Sequence, residues 1–117
     1  MVNACTFIGN ITPLNEREVR VRAHNGTEAT LPVRHDLCNH SPIGFAWGYG
    51  GSRPAQLALA MLAYLYGDIE ALRYYQSFKD DTVSVLKPNE GWEMTSEQID
   101  LRMDALKAKV KFFHGCI

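Results

Sequence analysis

One stretch of the sequence, residues 44 to 66, decides the fold; it reads GFAWGYGGSRPAQLALAMLAYLY. Its first half is rich in glycine, and its second half is almost entirely apolar. Pro54 stands where the halves meet, and proline suits the first turn of a helix because its missing N–H has no intrahelical partner there. We therefore predict a helix that begins at Ser52 or Arg53 and ends at Gly67. Its broad apolar face consists of Leu57, Met61, Leu62 and Leu65.

The glycine-rich stretch from Gly44 to Pro54 has the composition of a site for a phosphate-bearing ligand. Glycine lets the backbone approach a ligand closely, and the helix that follows offers free N–H groups and the positive end of its dipole. Ser52 adds a hydroxyl and Arg53 a charged fork, while alternating aromatic rings can stack on a base. The predicted ligand-binding residues are Phe45, Trp47, Gly48, Tyr49, Gly50, Gly51, Ser52 and Arg53, with Arg20 and Arg22 as additional charges.

The same stretch also has a purely structural interpretation, a glycine-rich turn around a core tryptophan. It is neither a Walker P-loop nor a dinucleotide-binding fingerprint, because no Lys-Ser/Thr pair follows and the glycine spacing differs. Catalytic residues are not predicted. His40 beside Ser41 and His35 beside Asp36 are neighbours in sequence only, which does not indicate a catalytic geometry. No cofactor is predicted either.

The first third of the chain has the pattern of antiparallel strands. Residues 4–9 form a short apolar run, and residues 18–22 alternate polar and apolar, so that Val19 and Val21 face the core. The Asn25-Gly26 pair predicts a hairpin because both residue types tolerate positive φ. The return strand is predicted from Thr27 to Val33.

The remainder is predicted to be helical. Asp68 can cap a second helix that reaches Leu86, although residues 82–86 alone have the composition of a strand. The last helix begins at Thr95, where Gln98 completes a capping box. An apolar seam follows, which either packs on the protein's own sheet or forms a subunit interface. This seam is the predicted oligomer interface. It consists of Ile99, Met103, Leu106, Val110 and Phe113.

These elements predict an α+β fold in a single domain. We divide residues 1–117 into a small antiparallel sheet (1–35), a glycine-rich ribbon (36–54) and a part with three helices (54–117). A length of 117 residues suits one hydrophobic core. The net charge of −1 gives no case for binding nucleic acid or an anionic membrane.

The cysteines and histidines predict neither a disulfide framework nor a metal site. Three cysteines at wide spacing suit a reducing cytoplasm. No CxxC motif occurs, and the histidines do not have the spacing of metal ligands. The exception is that His35, Cys38 and His40 lie close together in sequence, which is a weak indication of a metal site. The N-terminus does not have the pattern of a signal peptide, and the longest apolar stretch is too short to span a bilayer.

The stretch from Leu31 to Asp68 resembles an uncharacterised domain of unknown function found among phages, plasmids and bacteria. Its signature in this chain is Leu31-Pro32, Arg34, Asp36-Leu37, Asn39-His40-Ser41-Pro42, Gly44-Phe45, Trp47-Gly48-Tyr49-Gly50-Gly51-Ser52 and Pro54-Ala55-Gln56-Leu57-Ala58-Leu59-Ala60. Further matches are Tyr75-Gln76, Phe78-Lys79, Trp92 and Met94-Thr95, so the resemblance covers roughly two thirds of the chain. Arg53 stands where glycine is usual, and Ala46 where an acidic residue is usual.

The order of elements also resembles phage sponge proteins that counter Thoeris-type defence. That resemblance implies a non-catalytic protein that sequesters cyclic ADP-ribose isomers or cyclic dinucleotides, assembles into a homo-oligomer and acts in the host cytoplasm. Two other classes stay open: a protein-binding inhibitor or regulator that acts through the acidic C-terminal helix, and a small nucleotide-processing enzyme.

Overall fold

The computed structural model describes residues 4–109 and residue 116. Within them the chain forms a four-stranded sheet and three α-helices, which confirms the α+β class. The elements are β1 (Cys5–Ile11), β2 (Arg17–Ala23), β3 (Glu28–Thr30), α1 (Ser52–Tyr66), α2 (Asp68–Phe78), a π-helical turn (Lys79–Val83), β4 (Trp92–Thr95) and α3 (Ser96–Lys109). No helix in the described residues has both the length and the apolar composition needed to cross a membrane.

The predicted hairpin forms the edge of the sheet. β2 and β3 pair antiparallel, and Gly26 takes a φ of +90° in the turn between them. Val19 and Val21 are buried, as the alternation predicted. The return strand is shorter than expected: after Thr30 the Leu31 N–H still donates to the Val19 carbonyl, but proline follows and cannot donate to the ladder.

The fourth strand, β4, is a correction to the prediction that residues 54–117 are helical. The sheet order is β3-β2-β1-β4, so a segment late in the chain pairs with the first strand. Trp92 lies opposite Gly9 and Met94 lies opposite Phe7. The Trp92 indole occupies the space in which a side chain on Gly9 would stand. A four-residue strand carries too little periodicity to be recognised from sequence, and only its partner on β1 defines it.

Helix α1 begins at Ser52 and ends at Gly67, as predicted. Residues 54–63 are all buried, so this helix is the centre of the core. The Asp68 side chain does not cap α2; its carboxylate instead lies 3.0 Å from the Arg34 guanidinium. Helical conformation continues from α2 through the π-helical turn to Val83, which excludes a strand over residues 82–86.

Helix α3 has the predicted capping box. The Gln98 N–H donates to Thr95 Oγ1 at 3.1 Å, and the Thr95 N–H donates to Gln98 Oε1 at 2.9 Å. The helix packs against α2, β4 and β1. Three residues of its apolar seam, Ile99, Met103 and Leu106, are therefore part of the chain's own core rather than presented to another subunit. Val110 and Phe113 lie outside the described residues.

Candidate functional site

Two of the three aromatic residues predicted to stack on a ligand are in the core. Phe45 is 6% exposed and Trp47 is 1% exposed. The Trp47 indole N–H donates to the Glu90 carbonyl at 2.9 Å, and its ring meets Trp92 edge to face at a centroid distance of 5.6 Å. Apolar rings of this size gain more from burial than from exposure. For Phe45 and Trp47 the purely structural interpretation of the ribbon therefore holds, because neither ring presents a face to a ligand.

The glycines of the ribbon have different roles. Gly48 has a φ of +88°, its N–H donates to the Val83 carbonyl, and a Cβ there would lie 2.6 Å from Pro88. It is where the ribbon docks against the loop after the π-helical turn. A Cβ on Gly51 would lie 2.5 Å from the Tyr49 ring, whereas a Cβ on Gly50 would meet nothing within 4 Å. Only Gly50 of the three has open space in front of it.

The start of α1 is the exposed part of the predicted site. Gly51 is the N-cap residue with an extended backbone; no side chain caps the helix, and its first turn holds no acidic residue. Ser52 is exposed, and the Tyr49 side chain is 47% exposed. Arg53 Nη2 donates to the Phe45 carbonyl at 2.7 Å, so this guanidinium stabilises the conformation of the ribbon. Its buried Nε has no hydrogen-bond partner in the described part of the chain.

The two hairpin arginines are not part of this surface. They lie on the outer face of the sheet, where Arg20 Nε is 3.2 Å from Glu28 and Arg22 Nη2 is 3.4 Å from Glu93. These are exposed ion pairs, whose contribution to stability is small. Both arginines thus protect the sheet surface, and their ion-pair partners in the described residues are Glu28 and Glu93, not the ribbon.

A second cluster lies at the loop before the glycine-rich stretch, and buried Gln56 of α1 organises it. Gln56 Oε1 accepts the N–H groups of His40 (2.8 Å) and Ser41 (3.3 Å). Gln56 Nε2 donates to the carbonyls of Val33 (2.8 Å) and Cys38 (3.1 Å). A fully buried amide whose donors and acceptor are all used fixes the backbone around it.

Arg34 fixes the entry to that loop. Its φ is +63°, in the left-handed region that only a few non-glycine residues adopt. Its guanidinium lies 3.0 Å from the carboxylates of both Asp36 and Asp68. The hydrogen bond with Arg34 lowers the pKa of Asp36. These contacts hold the loop against the start of α2.

The same loop carries a disulfide, which corrects the prediction that the cysteines form none. Cys38 is bonded to Cys116 at a sequence separation of 78, and Cys5 is free. His40 Nε2 lies 3.2 Å from Cys38 Sγ and 2.6 Å from the Tyr75 hydroxyl. Burial, and to a smaller degree the charge of Lys79, lowers the pKa of His40.

With the disulfide reduced, two sulfur atoms and one nitrogen of this cluster have the chemistry of metal ligands. The ligand atoms of Cys38, His40 and Cys116 all lie within 4.8 Å of one another. His35, which the sequence grouped with the first two, is not a member, because its Nε2 contacts the Ser41 carbonyl at 2.8 Å.

Sequence reasoning missed Gln56, Tyr75 and Cys116 as organising residues. A glutamine inside an apolar helix was the one available signal, since a buried amide needs partners. Nothing in the spacing of Cys116 indicates its pairing. A separate cleft of about 310 Å³ at the end of the sheet, between Cys5, His24 and Glu97, was not predicted either.

The comparisons with known proteins give a family. Neither a curated protein nor a solved structure matches the chain. Residues 12–105 match a family of unknown function, DUF6166, and this span contains the ribbon, α1, α2 and β4. Because the match covers well over half of the chain, the protein belongs to the family of unknown function DUF6166.

Proposed function

We propose that the protein is a non-catalytic binding protein that sequesters a nucleotide immune signal, in the manner of the phage anti-defence sponges. The ligand is a cyclic ADP-ribose isomer or a cyclic dinucleotide, held in the cytoplasm of the host cell. The exposed turn from Tyr49 to Ser52 is the contact surface. The resemblance to sponge proteins supports the class of ligand, and the form of this turn supports the position of the site.

The observation that carries the choice of site is the open start of α1 beside an exposed ring. The 15-residue helix has neither a capping side chain nor an acidic residue in its first turn. Its positive dipole end is therefore left for a ligand phosphate. Gly50 has free space for close approach, and the Tyr49 ring is half exposed beside Gly51. A phosphate on the helix start and a base on the tyrosine would use both features.

The burial of Phe45 and Trp47 limits what one chain can contribute to affinity. A single stacked base is worth about 1–3 kcal/mol, and a phosphate at a helix start adds about 0.3–2 kcal/mol. Nanomolar affinity requires about −12 kcal/mol. We therefore infer that a second copy of the chain closes over the ligand, so that the sponge works as a homo-oligomer, a dimer or higher. Ile99, Met103 and Leu106 on α3 are not the contact, because they are buried within the chain.

The test is thermal denaturation against a panel of cyclic ADP-ribose isomers and cyclic dinucleotides. We expect at least one of them to raise the melting temperature of the wild type. Tyr49→Ala and Gly50→Val should remove that rise, because they remove the stacking ring and the free space for the backbone approach. Leu14→Ala, a change at an 80% exposed side chain in the β1–β2 turn, is the control. Normal binding by both site variants would place the ligand elsewhere.

A protein-binding role is the second candidate, because α3 presents an apolar side chain to solvent. Leu101 is 72% exposed and Val85 is 69% exposed. Leu101 lines a groove of about 460 Å³ together with Leu86, Met94 and Arg102. Such a groove beside acidic residues suits a partner protein better than a nucleotide. If no nucleotide in the panel binds to the protein, the protein-binding role becomes the favoured function.

A further inference from the structure

We propose that Cys38, His40 and Cys116 of the reduced chain form a binding site for Zn²⁺. The site lies at the loop before the glycine-rich stretch and is distinct from the turn assigned to the nucleotide. Two thiolates and one imidazole are ligands that Zn²⁺ prefers, and three protein ligands with an open fourth position are common in zinc proteins. Thiolate and imidazole both suit Zn²⁺, whereas Mg²⁺ and Ca²⁺ prefer oxygen ligands.

The distances are close to those that a tetrahedral ion needs. With Zn–S near 2.3 Å and Zn–N near 2.0–2.1 Å, ligand atoms of a tetrahedral site are about 3.6 Å (S to N) and about 3.8 Å (S to S) apart. Cys38 Sγ and His40 Nε2 already lie 3.2 Å apart, and all three ligand atoms fall within 4.8 Å. Once the S–S bond is broken, small side-chain rotations bring them to tetrahedral spacing.

The backbone that carries two of the ligands is already fixed. Gln56 holds the Cys38 carbonyl and the His40 N–H, so the backbone positions from which the two side chains start are fixed without the metal. Cys38 is only 6% exposed, and Tyr75, whose hydroxyl contacts His40 Nε2, is fully buried. Preorganised ligands in a sheltered position lose little entropy when an ion binds.

The fourth position has a candidate neighbour in Tyr75. Its hydroxyl lies 2.6 Å from His40 Nε2, the nitrogen that would face the ion. When that nitrogen is used by Zn²⁺, the phenol oxygen is left beside the ion. Metal and disulfide exclude each other, because the metal binds thiolates. The cation site is therefore a property of the reduced protein.

The experiment is a zinc titration of the full chain in the presence of a competing chromophoric chelator. A phosphine reductant first converts the disulfide to two thiols and is itself oxidised to the phosphine oxide. We expect one Zn²⁺ per chain, a higher melting temperature with metal, and, with Co²⁺ in place of zinc, the absorption of a thiolate-bound tetrahedral ion. Weak binding that does not compete with the chelator, or cobalt spectra without a thiolate band, would overturn the proposal.

Variants locate the ion. Cys116→Ser and His40→Ala should weaken binding by more than the roughly 10–100-fold that loss of an outer-shell partner costs. Cys5→Ser and His35→Ala are the matched controls, because both residues lie outside the cluster, and they should bind as the wild type does. His40→Cys should keep the metal, which separates loss of a ligand from loss of fold. Equal binding by Cys116→Ser and Cys5→Ser would contradict the assignment.

Discussion

At the scale of single residues, aromatic side chains have opposite roles within a few positions of the ribbon. Tyr49 is half exposed, whereas Trp47, two residues earlier, is buried and hydrogen-bonded to Glu90. The sequence alternation predicted that both rings share one exposed side. It could not show that the loop after α2 would cover one of them, because that contact joins residues far apart in the chain.

The glycines give a prediction at this scale. Gly48→Ala should lower the free energy of unfolding by about 1–3 kcal/mol, because a side chain is strained at its positive φ and meets Pro88. Gly50→Ala is the control: it meets open space and should change stability by less than about 1 kcal/mol. Chemical denaturation of both variants measures the difference. Equal losses would mean that the ribbon does not dock through Gly48.

Gln56 gives a second prediction. Gln56→Leu should destabilise the fold by several kcal/mol, since each buried backbone group left without its partner costs about 1–3 kcal/mol. Four such groups depend on this amide. Gln76→Leu, on the partly exposed surface of α2, is the matched control and should be close to neutral. Similar denaturation midpoints for the two variants would contradict the role assigned to Gln56.

At the scale of elements, what could be predicted depended on whether the signal was local. The capping box at Thr95 and Gln98, the hairpin turn at Asn25-Gly26 and the start of α1 at Ser52 are each specified by a few adjacent residues. β4 was missed because its partner strand lies more than eighty residues earlier in the chain. The Asp68 cap was wrong because Arg34, a distant residue, takes the carboxylate.

Helix α3 gives the prediction at this scale. Met103→Asp should unfold the chain rather than dissociate an oligomer, because Met103 is 1% exposed and a carboxylate there is buried without a partner. Leu101→Asp, two residues away on the 72% exposed side of the same helix, should leave the fold intact. Circular dichroism and sedimentation distinguish the cases. A folded monomeric Met103→Asp variant of an oligomeric wild type would show that the seam is a subunit contact after all.

At the scale of the whole molecule, the chain places two candidate sites next to the first turns of α1. The loop with Cys38 and His40 is tied to α1 through Gln56, and the turn from Tyr49 to Ser52 forms the beginning of the same helix. The class of fold follows from local patterns, whereas the Cys38–Cys116 pairing does not. Spacing alone carries no information on which distant cysteines meet, so this part of the site could not be predicted.

The most direct test of the central claim, retention of a nucleotide without chemistry, is a capture and release measurement. The protein is mixed with cyclic ADP-ribose isomers and cyclic dinucleotides, freed of unbound ligand, heat-denatured, and the released material is analysed by mass spectrometry and chromatography. Our account predicts that one of these nucleotides is retained and released unaltered, and that Gly50→Val retains much less of it. Release of a hydrolysed product would make the protein an enzyme, and retention of none of them would contradict the sponge function.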